Sequence, residues 1–209
     1  MHLKLNKLDF LEIRRREKYW KFSKLIFIHV PKVAGVSVST ALYGRPLGHF
    51  KYIELMNHLD NFDQYSVFSI IRDPIERIKS AFNFIRNGSI SDTHQFNDKI
   101  DNGYLKDINI FIQDYLQYKD VEKLDPVLQT QYSYLSSFEK NKLGDIKIFN
   151  IDDLDSLDQF LFESGYSVKF QKLNESIKTE CKMDSISLKI VENIYKQDID
   201  LYGAIVNGK

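Results

Sequence analysis

Cysteine, proline and glycine are all scarce in this chain of 209 residues. The single cysteine, Cys181, excludes an intrachain disulfide and a zinc site built from several cysteines. Nine glycines and four prolines exclude collagen-like and low-complexity architectures. Long apolar runs are missing too, because charges interrupt the N-terminal segment, and we expect neither a signal peptide nor a membrane span. Together these features indicate a reducing, cytoplasmic setting.

The formal net charge is zero, since 29 Lys and Arg balance 29 Asp and Glu. A neutral chain lacks the broad basic field of nucleic-acid-binding proteins, so we expect no nucleic-acid partner. It can still hold a local cationic pocket for a small anion. The length predicts one domain over residues 1–209, with residues 1–24 as an N-terminal extension.

Short apolar runs alternate with segments of helical spacing. The runs predict buried strands at residues 25–30 and 65–71, and residues 146–151 are a third candidate strand. Strands that alternate with helices predict an α/β fold with a central parallel sheet flanked by helices on both faces. Helices are predicted at residues 51–60, from Pro74 to a C-cap at Gly88, and at 108–118, 126–137, 153–164 and about 184–202, with 89–107 as a loop or loose helix.

The segment FIHVPKVAGVSV, residues 27–38, places a buried strand, a loop of small residues and a helix start in that order. Such a loop aims backbone N–H groups at one point, and the helix dipole favours an anion there. Ala34 and Gly35 allow close approach, Lys32 adds a positive charge and Ser37 adds a hydroxyl. The segment is not a Walker A loop, because it lacks G-x-x-x-x-G-K-[ST], and an ordinary strand-to-helix turn is the alternative.

A second motif follows the second predicted strand. Arg72 comes at the carboxyl end of this strand, and Ser80 follows eight residues later on the next helix. Arginine offers a forked, permanently charged contact that suits phosphate, so the two side chains can converge on one phosphate group. The alternative is a surface pair of Arg72 with Asp73 and an ordinary helix serine.

Taken together, these segments resemble the sulfotransferases that use 3′-phosphoadenosine 5′-phosphosulfate (PAPS), in particular the carbohydrate O-sulfotransferases and their bacterial relatives. FIHVPKVAGVS is similar to that family's 5′-phosphosulfate loop. FSIIRDPIERIKSAFNFIRNG is similar to its 3′-phosphate motif, most of all in the uronosyl 2-O-sulfotransferases. Weaker similarities, which extend the resemblance over residues 25–202, lie in PVLQTQYSYL, IFNIDDLDSLDQFL and KLNESIK. The chain departs from the family at Val33 and Val36, where threonine is common.

The resemblance implies a P-loop-like three-layer fold and a sulfotransferase that moves a sulfuryl group from PAPS to a carbohydrate hydroxyl. It implies no metal, and no cluster with metal-ligand spacing is visible. Residues 89–140 would form a mostly helical insertion on the acceptor side. The implied donor contacts are Lys32, Val33, Ala34, Gly35, Val36, Ser37 and Val38 at the 5′ end, Arg72 and Ser80 at the 3′-phosphate, and Asn174 and Ser176 at the rim.

Two residues are predicted to carry the chemistry. Lys32 can neutralise charge on the leaving phosphate oxygen. His49 resembles the histidine base of the uronosyl 2-O-sulfotransferases, and an unperturbed histidine titrates near neutrality. Glu54 is the alternative base, whereas His29, inside the first strand, is predicted to be a core histidine with satisfied hydrogen bonds or a histidine that supports the site from behind.

Two other functions remain open. One is a P-loop nucleotide kinase or phosphotransferase, and the other is a PAPS-binding protein without catalysis. Within the sulfotransferases, the acceptor could also be a phenol, a lipid or a tyrosine instead of a sugar. Neither the acceptor nor the oligomeric state can be predicted from these patterns.

Overall fold

The computed structural model of the chain describes residues 7–87, 100–137, 142–167 and 181–208. These residues form two compact units, each built from two stretches of chain. The first lies within Met1–Ile71 and Tyr132–Gln171, and the second within Arg72–Gln131 and Lys172–Lys209. A single domain over residues 1–209 stays a prediction.

The first unit contains a three-stranded parallel sheet in the order β1-β2-β3. The strands are β1 (Leu25–Ile28), β2 (Ser66–Ile71) and β3 (Lys147–Asn150), so β2 is central. All residues of β1, and all of β2 after its first, are buried. Such burial is why both strands are continuous apolar runs. The predicted α/β class with a parallel sheet is confirmed.

Aromatic side chains pack on one face of this sheet. Phe27 of β1 is paired in register with Phe68 of β2, and their rings stack with centroids 5.1 Å apart. Phe160 lies on the same cluster, 5.3 Å from Phe68. Since side chains alternate across a strand, His29 follows Phe27 on this face and stacks on it at 5.5 Å.

The helices of the first unit connect or flank these strands. They are α1 (Lys7–Ser23), α2 (Gly35–Tyr43), α3 (Tyr52–His58) and α7 (Leu154–Glu163), while the short α6 (Gln131–Leu135) begins at the last residue of the second unit. Helix α7 ends where Gly165 takes a left-handed φ of 89°, as expected for a glycine that stops a helix. The predicted N-terminal extension is therefore a helix over most of its length.

Tyr43 covers the outer edge of β1. Its hydroxyl accepts a hydrogen bond from the Phe27 N–H at 2.9 Å and donates one to the Leu25 carbonyl at 3.1 Å. Burial raises the pKa of this phenol, so the hydroxyl keeps its proton. Because β1 pairs with a strand on one side only in the described part of the chain, Tyr43 satisfies edge groups that a further strand would otherwise bind.

The second unit is helical in its described part. It contains α4 (Pro74–Arg86), α8 (Ser185–Ile194) and α9 (Lys196–Asn207). A further helix starts as α5 (Ile108–Ile110), continues with π geometry over Phe111–Tyr115 and ends with 3₁₀ geometry at Leu116–Tyr118. The predicted helix at 108–118 is therefore confirmed, and its apolar side chains form a buried core with residues such as Phe82, Leu128 and Tyr195.

Three predicted boundaries are wrong. Strand β1 ends at Ile28, because the Val30 N–H turns back to the Ile28 carbonyl at 3.2 Å. The helix predicted at 126–137 is restricted to Gln131–Leu135. The helix predicted at 184–202 is two helices that meet at Tyr195 and reach Asn207. The predicted C-cap Gly88 lies outside the described residues, and Asn87 is the observed C-cap of α4.

Tertiary hydrogen bonds explain the shortened helix. The carbonyls of Val127 and Gln129 accept from the buried Arg77 guanidinium, and the Leu128 carbonyl accepts from the Tyr195 hydroxyl at 2.7 Å. Carbonyls held by side chains in this way are not available for a helical ladder. The same contact anchors Tyr195, the residue at which α8 and α9 separate.

In the described ranges, no helix is both long enough and apolar enough to cross a membrane.

The edge contact of Tyr43 gives a direct test of the sheet. Tyr43→Phe removes the hydroxyl and leaves the Phe27 N–H unsatisfied in a buried place. The Leu25 carbonyl keeps its hydrogen bond from the Ser23 hydroxyl at 2.9 Å. We expect the free energy of unfolding to fall by about 1–3 kcal/mol. Urea denaturation followed by circular dichroism measures it. Tyr118→Phe is the control, since Tyr118 is 75% exposed and its change should stay within about 0.5 kcal/mol. Equal stabilities of the Tyr43→Phe variant and the parent would contradict this role.

Candidate functional site

The loop between β1 and α2 has an unusual backbone. Lys32 and Ala34 both adopt left-handed conformations, with φ of 70° and 60°. Non-glycine residues rarely have positive φ. Left-handed residues in a turn bring successive backbone N–H groups to one side, which is how anion-binding concavities form. Ala34 is the N-cap of α2 and has no side-chain hydrogen bond to the helix. The Ser37 N–H donates to the Ala34 carbonyl at 3.2 Å, so the first-turn N–H groups that remain for an anion are those of Gly35 and Val36.

Gly35 is required at the start of α2 because a histidine ring lies against it. A Cβ at Gly35 would lie 2.9 Å from Cγ of His29 and closer still to Cδ2 and Nε2. The φ of Gly35 is not positive, so the constraint is space and not backbone conformation. The ring of His29, on β1, therefore determines how closely the loop and α2 pass the end of this strand.

His29 is buried and uncharged. Only 4% of the residue is exposed. Burial, with a smaller contribution from the neighbouring His49, lowers the pKa of His29 well below its usual range. Among the described residues, none forms a hydrogen bond with His29 Nδ1. The prediction of a core histidine agrees with this burial, but the prediction that its hydrogen bonds are satisfied is wrong for Nδ1 in the part of the chain that the structure describes. Its contacts with Gly35 and His49 were not predicted.

His49 lies directly beside His29. Nδ1 of His49 is 2.8 Å from the backbone carbonyl of His29, and the two ring centroids are 4.1 Å apart. A carbonyl oxygen only accepts hydrogen bonds, so Nδ1 of His49 carries the proton and donates it. In the neutral ring the lone pair is then on Nε2. Since His49 is exposed, this arrangement suits a general base that acts through Nε2.

The residue after His49 anchors this part of the chain. Phe50 meets the ring of Trp20 edge-on at 6.1 Å, and the Arg16 guanidinium lies over Phe50 at 5.4 Å from its centroid. Trp20 and Arg16 belong to α1. The N-terminal helix thus holds the segment that carries His49. The sequence predicted residues 1–24 only as an extension and did not indicate this contact.

The alternative base has a structural role in α3. Glu54 accepts a hydrogen bond at Oε2 from the Lys51 N–H at 2.8 Å, and its own N–H donates to the Lys51 carbonyl at 3.0 Å. The bond from the Lys51 N–H to the Glu54 carboxylate is one half of a capping box and stabilises the start of the helix. The other half is missing, because the Lys51 side chain cannot accept a hydrogen bond. His58, at the other end of α3, donates from Nδ1 to the Glu54 carbonyl at 2.7 Å.

The predicted donor-loop residues differ in which of their groups can reach a ligand. The side chains of Val33 and Val38 are buried, so only their backbone can contact an anion. The hydroxyl that this chain lacks at Val33 would thus point into the core. Lys32 and Ser37 are partly exposed, and Val36 is 57% exposed. Together with His49 they all belong to the first unit.

Arg72 and Ser80 belong to the second unit. Arg72 immediately follows β2, and Ser80 lies on α4, about one and a half turns after Pro74; both residues are partly exposed. Asp73 is the N-cap of α4 and accepts from the Glu76 N–H at 2.9 Å. No described residue forms a hydrogen bond or ion pair with the Arg72 side chain. The alternative of an Arg72–Asp73 surface pair is therefore wrong within the described structure.

Two predicted rim residues, Asn174 and Ser176, lie outside the described residues, as do His2 and His94. In the described ranges, no group of three or more His, Cys, Asp or Glu side chains could hold a metal ion. The sequence did not predict a role for Gln131, whose side chain contacts the backbone of Arg72. The only sequence feature that could have pointed to this residue is the Gln-Thr-Gln run at 129–131.

The contact of His29 with Gly35 predicts a specific coupling. Gly35→Ala should lower the free energy of unfolding by about 1–3 kcal/mol, because the new methyl group overlaps the buried His29 ring. In a His29→Ala background the methyl group has space, so the same change should cost at least about 1 kcal/mol less. Urea denaturation of the four proteins gives this coupling.

Gly44→Ala is the matched control for that cycle. Gly44 has a φ of 73° and no atom within 4 Å of an added Cβ, so its substitution costs backbone strain alone. Its effect should add to that of His29→Ala without coupling. Additive effects of Gly35→Ala and His29→Ala would show that the two residues do not constrain each other.

No protein-family model matches this chain, and neither the curated proteins nor the solved structures include a match for it.

Proposed function

We propose that this protein is a sulfotransferase that transfers a sulfuryl group from PAPS to a hydroxyl of a carbohydrate. The observation that carries the proposal is the loop between β1 and α2. Its left-handed Lys32 and Ala34 and the amino terminus of α2 suit a bound phosphosulfate, and its sequence resembles the donor loop of this family. We also expect the P-loop-like three-layer fold of the family, to which the parallel sheet corresponds.

Each end of the donor has candidate contacts. The backbone from Val33 to Val38, with Lys32 and Ser37, suits the 5′ end. The Arg72 guanidinium, which is partly exposed and has no described partner, suits the 3′-phosphate together with Ser80. Asn174 and Ser176 are proposed at the rim on the resemblance alone.

The chemistry needs a base and a stabilised leaving group. The bound donor supplies an electrophilic sulfur, which accepts the acceptor oxygen as its bond to the bridging phosphate oxygen breaks. His49 takes the hydroxyl proton at Nε2, because Nδ1 donates to the His29 carbonyl. Lys32 neutralises the negative charge that remains on the 5′-phosphate oxygen. The capping role of Glu54 makes it the weaker candidate base.

The second candidate is a P-loop nucleotide kinase, because a strand, a loop and a helix amino terminus also bind ATP. The two functions differ in ligand. A sulfotransferase binds adenosine 3′,5′-bisphosphate without a metal, whereas a kinase binds ATP with Mg²⁺. Thermal shifts with each ligand separate them, and turnover of PAPS separates an enzyme from a PAPS-binding protein. A panel of sugars, phenols, lipids and tyrosine peptides identifies the acceptor class.

Arg72 should recognise the 3′-phosphate. Arg72→Ala should weaken adenosine 3′,5′-bisphosphate binding by roughly 10- to 100-fold, because it removes a charge-assisted contact. Binding of AMP, which lacks that phosphate, should hardly change. Isothermal titration calorimetry measures both affinities. Arg86→Ala is the control. It also removes one positive charge, but at the end of α4, and it should leave both affinities unaltered. Full affinity of the Arg72→Ala protein for adenosine 3′,5′-bisphosphate would reject this role.

His49 should act in the reaction and not in donor binding. His49→Ala should lower kcat by roughly 10²–10⁴-fold, the usual effect of losing a general base. Affinity for adenosine 3′,5′-bisphosphate should change little. His58→Ala is the control, because His58 also bonds a carbonyl through Nδ1 but is assigned only to α3. Near-normal turnover of the His49→Ala protein would contradict this role and make Glu54 the candidate base. A loss of donor affinity as large as the loss of kcat would make His49 a donor-site residue.

A further inference from the structure

Gln131 makes a two-point contact with the backbone of Arg72. Its side-chain oxygen accepts a hydrogen bond from the Arg72 N–H at 3.0 Å, and its side-chain nitrogen donates to the Arg72 carbonyl at 2.8 Å. An N–H needs an acceptor and a carbonyl needs a donor, so these two bonds also determine the orientation of the amide. Gln131 thus takes the place of a neighbouring strand just after the last residue of β2.

Gln131 is itself held rigidly. It is only 1% exposed, and its backbone N–H donates to Oδ2 of Asp198 at 2.9 Å. Asp198 lies on α9 and is also 1% exposed. The amide of Gln131 therefore has no freedom to follow Arg72 if Arg72 moves, and Arg72 must conform to it.

The segment that precedes Gln131 is anchored as well. The Arg77 guanidinium, fully buried on α4, donates to the Gln129 carbonyl, and the Tyr195 hydroxyl donates to the Leu128 carbonyl. Arg77 is five residues after Arg72 on the chain that leaves β2. The same unit thus supports both partners of the Gln131–Arg72 contact.

We infer that Gln131 is the positioning residue that directs the Arg72 side chain toward the 3′-phosphate of the donor. Both polar backbone groups of Arg72 are held, so the direction of its Cα–Cβ bond is set while the guanidinium stays partly exposed. A rigidly held arginine gives a directional contact, whereas one on a loose backbone gives a weaker and less selective contact. This inference rests on the proposed function, in which Arg72 binds that phosphate.

The test compares two ligands that differ only in the 3′-phosphate. The ratio of the AMP dissociation constant to that of adenosine 3′,5′-bisphosphate measures recognition of this group in the full chain. Gln131→Met, which keeps the side-chain length and removes both hydrogen bonds, should reduce the ratio by roughly tenfold and leave AMP affinity unchanged. Gln131→Glu, which can still accept from the Arg72 N–H but cannot donate to its carbonyl, should give a smaller reduction.

Two comparisons separate positioning from general support. Gln129→Met is the matched control, since its amide donates to the Leu124 carbonyl at 2.9 Å and not to Arg72; its ratio should equal that of the parent. In an Arg72→Ala background, Gln131→Met should change the ratio no further. A merely structural role would lower thermal stability and both affinities together, without changing the ratio.

The outcomes also distinguish this inference from the function on which it rests. A parent protein with no preference for adenosine 3′,5′-bisphosphate over AMP overturns the 3′-phosphate site and the inference with it. A clear preference that survives unchanged in both Gln131 variants overturns the positioning role alone. If Gln131→Met does not fold, the ratio measured with Gln131→Glu decides.

Discussion

The contact of the His29 ring with Gly35 is the constraint on which the first unit's candidate site depends. The ring occupies the place of a side chain at the first residue of α2, so the loop can turn from β1 into α2 only over a glycine. The carbonyl of the same residue receives the Nδ1 proton of His49. One buried histidine therefore places both the loop that is proposed to bind an anion and the candidate base, and a change at His29 would disturb both.

The electrostatics of the two histidines follow from their different exposure. Burial keeps the pKa of His29 well below its usual range, so this ring stays neutral near physiological pH. The two ring centroids are 4.1 Å apart, so the exposed His49 lies beside a ring that carries no charge. The pair thus combines a buried support with an exposed candidate base.

Side chains satisfy the backbone where the sheet cannot. The Tyr43 hydroxyl bonds two groups on the edge of β1, and the Gln131 amide bonds the two polar groups of Arg72 after β2. Each buried N–H or carbonyl that lacks a neighbouring strand needs such a partner. The consequence is that Arg72, a proposed ligand contact just beyond β2, has both polar backbone groups held although it lies outside the ladder.

Local patterns determined much of this protein. Continuous apolar runs specified β1 and β2, and Pro74 and Gly165 marked a helix start and a helix end. The order of strand, small residues and helix specified the loop that is proposed to bind an anion. Each depends on residues that are near neighbours in the chain, so a sequence displays them directly. Lys32, Arg72 and Ser80 were also named from residue type and spacing, and the candidate base from resemblance. Their proposed roles go beyond the geometry.

Only the tertiary structure decided which residues support the candidate site residues and the elements that carry them. The contacts of His29 with His49, of Trp20 with Phe50 and of Gln131 with Arg72 join residues 20 to 59 positions apart. The same kind of contact shortened the helix at Gln131–Leu135, because Arg77 and Tyr195 took the preceding carbonyls. Such hydrogen bonds form only once distant segments have packed together. Propensity and periodicity depend on neighbours along the chain and carry no record of them.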